Sequence, residues 1–190
     1  MKPVLAVILL PTVLMLLNHV WQANAFVKTV AYIKKFEYQT HSPTFNVSYR
    51  INHPKSVTNQ SLDIFVDIKR KVKDLRLLFL YHSVTLNGSI PVIKRPIDMC
   101  FFMRNPRSDR LVKSFYDYVR VHTNIPLKCP IAPGSYMIHG VRPSDAPLPS
   151  FLPNVDFVLE LIYYSEARAE KLMEYRVYGK LVRLYDNMFK

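Results

Sequence analysis

The sequence predicts a mostly β protein, an antiparallel sandwich or cup of about seven short strands with one α-helix. Three observations predict it. Apolar residues recur at every second position in several runs, turn-forming residues separate those runs, and apolar spacing of three and four residues is confined to residues 106–123.

The first run is Leu62, Ile64, Val66 and Ile68 alternating with Asp63, Phe65 and Asp67, the pattern of a half-buried strand. The basic residues Lys69, Arg70, Lys71, Lys73 and Arg76 interrupt it, and Leu77, Phe79 and Tyr81 open a second alternating run, so the two read as a hairpin with a charged tip. Asn87-Gly88 is a turn dipeptide, because both residues tolerate positive φ, and it leads into a third strand between Ile90 and Phe102 that carries Cys100. Pro106 behind Asn105 reads as a capped helix start, and Leu111, Phe115, Tyr118, Val119 and His122 give residues 106–123 an apolar stripe that must face the core. Pro126 ends that helix. Beyond Cys129, the prolines at 130, 133, 143, 147, 149 and 153 exclude helix and leave short extended pieces. Val155, Phe157, Leu159, Leu161 and Tyr163 then share one face of a long strand, with Asp156 and Glu160 on the other. In the last segment, Lys171 to Val182, good helix formers from Glu166 to Glu174 compete with Tyr175, Val177 and Tyr178, and the latter favour a strand that completes a hairpin.

The amino terminus reads as a secretory signal peptide over residues 1–25. Lys2 precedes an apolar run from Val4 to Leu17, and Ala23-Asn24-Ala25 offers a small-x-small cleavage site. Pro11 interrupts the run and Asn18-His19 ends it, short of the roughly 20 apolar residues that span a bilayer. The mature chain then begins at Phe26 and forms one domain over 26–190, long enough to enclose a substantial core. The formal charge is +12, and losing Lys2 leaves about +11, which attracts anionic membranes, sulfated glycans or acidic partners. Nucleic acid is set aside as a partner because an exported protein rarely meets it. Export also favours a disulfide between the only two cysteines, Cys100 and Cys129. Three sequons, at Asn46, Asn59 and Asn87, lack proline in the middle position and are candidate glycosylation sites on exposed backbone.

Local signatures of catalysis are absent. The chain contains no Gly-x-Ser-x-Gly elbow, no His-Glu-x-x-His pair and no phosphate-cradling loop, and four glycines leave little scope for one. The mature histidines, His41, His53, His82, His122 and His139, are scattered. The sequence therefore predicts a binding protein, with no catalytic residue, metal or cofactor.

Residues 97–163 carry a resemblance. The series is Ile97-Asp98-Met99-Cys100-Phe101-Phe102-Met103-Arg104-Asn105, the helix, Asn124, Cys129-Pro130, Gly134-Ser135-Tyr136, and Leu148-Pro149-Ser150-Phe151-Leu152-Pro153. It resembles a large insect family of small secreted proteins that includes the chemosensory-type B proteins and is related to the ML lipid-recognition domains of ganglioside activators and sterol carriers. Asn154 and Val155 stand where the family pattern would place a glycine, and the family commonly has further cysteines. The resemblance implies an ML-like, immunoglobulin-like cup whose sheets splay apart and hold a lipid or hydrocarbon. Leu62, Ile64, Val66, Leu77, Phe79, Phe115, Val119, Phe157, Leu159 and Leu161 would line that cavity. The alternative is a secreted protein-interaction module in which the same side chains fill a solid core. Lys69, Arg70, Lys71, Lys73 and Arg76 would form a basic surface, either a dock for a receptor or an anionic membrane, or simply a solvated strand end.

Overall fold

The computed structural model describes residues 27–149, 151–165, 167 and 170–185. The expected signal peptide and its cleavage site lie outside the described residues. Among the described residues, eight strands form two sheets: β1 (Val27–Thr40), β2 (Phe45–Asn52), β3 (Ser61–Ile68), β4 (Arg76–Thr85), β5 (Gly88–Asp98), β6 (Gly134–Val141), β7 (Asp156–Ser165) and β8 (Glu170–Tyr185). The larger sheet has the order β1-β8-β7-β4-β5 and the smaller β2-β3-β6. Two helices, α1 (Met99–Arg104) and α2 (Arg110–Arg120), and two 3-10 turns, Pro106–Ser108 and Pro143–Asp145, lie between β5 and β7. The main body runs from Thr29 to Val182.

Alternation in sequence becomes a shared inner face through the register. On β4 and β7, Leu77 pairs with Tyr163, Phe79 with Leu161, Tyr81 with Leu159 and Ser83 with Phe157. The next ladder sets Leu161 against Tyr175 and Leu159 against Val177 on β8. In the small sheet, Phe45 pairs with Ile68 and Val47 with Val66. The inner faces of both sheets are therefore mostly apolar, as burial requires of a two-layer sandwich.

Three expectations need correction. The strands β3 and β4 are not a hairpin; they belong to different sheets, and the basic stretch between them crosses from one layer to the other. Val72 and Leu75 in that crossover are buried, and Val72 exchanges two 2.9 Å backbone hydrogen bonds with Ile131. Cys100 is helical, not on a strand. The Asp98 carboxylate accepts a hydrogen bond from the Phe101 N–H at 2.9 Å, which caps α1 and ends β5. Finally, the expected single helix over 106–123 is a 3-10 turn followed by the shorter α2. Asp109 caps α2 by accepting from the amides of Leu111 and Val112 at 3.0 and 3.1 Å.

The Asn87-Gly88 turn does connect a hairpin. Thr85 pairs with Gly88, which holds φ at +116°, a value that favours glycine. The strand pair at the end of the chain also forms, as β7 and β8. Buried Gln60 fastens β1 to the turn ahead of β3. Its side-chain carbonyl accepts from the Ile33 N–H at 2.8 Å, and its amide donates to the Ile33 carbonyl at 2.9 Å and the Pro54 carbonyl at 3.2 Å.

Candidate ligand cavity

Strand β3 divides the interior. Its second half, Val66 and Ile68, packs with Phe45, Val47, Val72, Ile131, Leu172 and Met173 into a filled core. Its first half, Leu62 and Ile64, faces a cavity of about 360 Å³ that is partly open to solvent. For scale, an engineered protein cavity of about 150 Å³ binds benzene, and small-molecule sites span roughly 300–1,000 Å³.

The large sheet supplies most of the cavity wall. Ala31, Ile33 and Phe36 come from β1, Leu77, Phe79 and Tyr81 from β4, Ile93, Arg95 and Ile97 from β5, Phe157, Leu159, Leu161 and Tyr163 from β7, and Tyr175, Val177 and Leu181 from β8. Across from them stand Leu62 and Ile64 of β3 and Ile138 and Val141 of β6. Helix α2 adds Leu111, Val112, Phe115, Tyr116, Tyr118 and Val119, α1 adds Met99 and Phe102, and Pro143, Ala146, Leu148, Pro149 and Leu152 complete the lining.

Helix α2 closes one side because it is fastened to both layers. On the large-sheet side, the ring of Phe115 meets Phe79 with centroids 6.1 Å apart, and Tyr116 sits edge-on to Phe102 at 5.2 Å. On the small-sheet side, the Tyr118 hydroxyl donates to the Arg142 carbonyl at 2.6 Å and accepts from the Arg142 N–H at 2.9 Å. Just past the helix, Thr123 bridges to Ile138, and the Asn124 side-chain carbonyl accepts from the Met137 N–H at 2.6 Å. The Cys100–Cys129 disulfide, with its Cα atoms 5.5 Å apart, closes the loop that contains α2 and anchors it to α1. No residue of α2 is fully buried, although its inner face is apolar.

The tyrosines in the wall stay neutral. Burial pushes the hydroxyls of Tyr81 and Tyr163 up to about 12 and also raises Tyr175, Tyr116 and Tyr118. The Tyr175 hydroxyl is spent on the Met173 sulfur at 3.4 Å. Arg95 is the single charged residue among the described wall residues.

Of the side chains expected to line a cavity, Leu62, Ile64, Leu77, Phe79, Phe115, Val119, Phe157, Leu159 and Leu161 stand on its wall, and Val66 lies in the filled half. Sequence reasoning did not reach the contributions of β1, β5, β6, β8, α1 or the loop residues Pro143, Ala146, Leu148, Pro149 and Leu152. The disulfide expected from the cysteine pair is formed, and both cysteines are taken up by it. The basic residues Lys69, Arg70, Lys71 and Lys73 are exposed along the crossover, with Arg70 held by Glu170 at 3.1 Å and the half-buried Arg76 by Asp98 at 3.5 Å. Asn46, Asn59 and Asn87 are exposed as well. No group of three metal-ligating side chains occurs among the described residues, and no helix among them is long and apolar enough to cross a membrane.

A protein family described as "Protein of unknown function (DUF1091)" matches residues 76–159, from the start of β4 into β7 and including both helices. No curated protein matches the chain significantly. Among solved structures, chicken MD-1 complexed with lipid IVa is similar at 16% identity, over 83% of this chain and 98% of that one, with a TM-score of 0.38. The C-terminal domain of wzt is similar at 14% identity, over 80% and 78% of the two chains, with a TM-score of 0.31. A Niemann-Pick type C2 protein from the Japanese carpenter ant is similar at 14% identity, over 78% and 90%, with a TM-score of 0.29.

Proposed function

We propose that this protein is a secreted binder that holds one small apolar ligand, a lipid or hydrocarbon, between its two sheets, and that it is a carrier or presenter rather than a catalyst. The observation that carries this reading is the cavity of about 360 Å³ whose wall is apolar except for one arginine and a few neutral tyrosines. A void of that size lined by such side chains is costly to leave empty, because its lining forgoes both dispersion contacts and burial. Its volume suits one hydrocarbon chain or a compact ring system rather than a lipid with several chains.

The disulfide supports passage through an oxidising compartment, as do the exposed positions of Asn46, Asn59 and Asn87, the proposed glycosylation sites. The basic crossover residues would then face a receptor or an anionic membrane during ligand transfer, and the insect-type resemblance makes chemosensory or extracellular lipid presentation the proposed setting.

Native mass spectrometry of protein from a eukaryotic secretory pathway tests the reading. Expected are mass increments that vanish on organic extraction, and a stripped protein that takes up the neutral dye Nile red at one saturable site. A protein that is always empty and does not bind the dye would instead favour an interaction module.

A further inference from the structure

We infer that Arg95 makes the cavity selective for amphiphiles with a negatively charged head group, the chain lying inside and the carboxylate or phosphate oxygens on the guanidinium. This rests on the cavity being a ligand site, as proposed above. Ile93, Arg95 and Ile97 all stand on the cavity wall. Their partners on β4 are Tyr81, Phe79 and Leu77, with no register shift across the stretch, so the three share the inner face of β5. An arginine therefore occupies a place where the pattern calls for an apolar residue.

Arg95 is exposed, so its charge is solvated at the cavity rim and not trapped in the interior. Two other arginines of the same sheet are occupied, Arg76 by Asp98 at 3.5 Å and Arg176 by Glu174 at 3.0 Å and Glu160 at 3.4 Å. Among the described residues, no hydrogen bond or ion pair holds the Arg95 guanidinium. Its planar fork of donors matches the paired oxygens of a carboxylate or phosphate, and apolar neighbours on both sides strengthen such a contact by excluding water. The net charge of +12 favours arrival of an anion over long range.

A competing explanation is that an inward charge on an edge strand deters sheet-to-sheet aggregation. Strand β5 is indeed outermost. It already carries Pro91 and Pro96 and a register shift opposite Tyr81 and His82, each of which blunts an edge without help from Arg95. Edge protection also predicts no preference among ligand head groups, which separates the two explanations.

The test is calorimetric titration of the stripped, full disulfide-bonded protein with dodecanoate, dodecyl phosphate, dodecanol and dodecyltrimethylammonium, each below its micelle-forming concentration. Wild type should bind both anions about tenfold more tightly than dodecanol, with the cation weakest, and added salt should shrink the gap. Arg95→Met should abolish the difference between the anions and dodecanol, and Arg95→Glu should favour the cation. Thermal melts of both variants verify folding. An anion preference that survives Arg95→Met, or equal binding of anions and dodecanol by wild type, overturns the inference while leaving the cavity as a ligand site. Failure of all four compounds to bind overturns the proposed function itself.

Discussion

Replacing Leu161 with tryptophan separates a cavity from a filled core in one experiment. Leu161 lies on β7, the middle strand of the five-stranded sheet, between Phe79 and Tyr175 in the register. In a filled sandwich an inward side chain at that place would be fully covered. Leu161 stays partly accessible because it faces the void. If the space were filled, the larger indole would overpack it at a cost of about 1–3 kcal/mol. For a chain of this size that is a fall in Tm of about 2–12 °C. With about 360 Å³ free, the indole enters the void and buries apolar surface, so the expected change is between zero and a gain of ~1 kcal/mol. The same ring removes room for a ligand, and Nile red affinity should fall at least tenfold, or ~1.4 kcal/mol. Circular dichroism melts and dye titration on one preparation read both quantities. A Tm loss above about 5 °C would refute the void, and unchanged dye affinity would place the ligand elsewhere.

Other outcomes follow from single contacts. Gly179→Ala should destabilise by about 1–3 kcal/mol, because the added methyl would overlap the Phe157 ring and lie 2.6 Å from the Tyr32 carbonyl oxygen; dye affinity should fall too, since Phe157 is part of the wall. Converting both Cys100 and Cys129 to serine opens a 29-residue separation and should cost about 3.5 kcal/mol in a urea melt, with α2 the first element to lose protection from hydrogen exchange. Burial would raise the pKa of Asp63, but the Gly140 amide, Asn52 and His139 outweigh it and hold the carboxylate below its usual range. The stability it contributes is therefore fully present above the unfolded pKa of about 3.9 and is lost as pH falls through the lower folded value; a Tm-against-pH profile should lose that acid step in Asp63→Asn.

The strands that could be read from the sequence are those whose inner face keeps a period of two. β3, β4, β7 and β8 do so over most of their length, and the Asn87-Gly88 turn fixed one hairpin without any tertiary knowledge. β1 does not: its buried residues are Val30, Ala31, Ile33 and Phe36, a spacing that belongs to neither a regular strand nor a helix. Its place is set by long-range ties such as Gln60 to Ile33, which no local pattern announces. The run Cys100-Phe101-Phe102 continues the apolar character of β5, so only the Asp98 cap signals that the backbone has turned helical. Asp63 sits on the expected polar face of β3 but is 4% exposed, because the Gly140 amide and His139 close over it at 2.8 Å each. Whether Leu62 and Leu159 meet other side chains or a void depends on how far the two layers stand apart. The same residues serve either case, and so the sequence is silent on it.

Helix α2 shows why the void belongs to the design of the fold rather than to loose packing. It has an N-terminal cap, a disulfide-closed loop around it and hydrogen bonds that tie Tyr118, Thr123 and Asn124 to the small sheet, yet none of its residues is fully buried. Its position is set by those ties together with the ring contacts of Phe115 with Phe79 and of Tyr116 with Phe102, while Leu111, Phe115 and Val119 also line the void. An apolar face on a surface helix is normally stabilised by what it packs on, and here no residue of the helix is fully buried, so a ligand held as proposed would add to that packing. Ligand should therefore act most strongly on this element. At a hundredfold excess over Kd, binding adds about 2.7 kcal/mol to overall stability. The accompanying slowing of hydrogen exchange should concentrate in α2 and the inward side of β5, while the filled core around Val47, Val66 and Ile68 changes only as far as global unfolding does. Uniform protection across both halves would mean that the helix already rests on a closed interior.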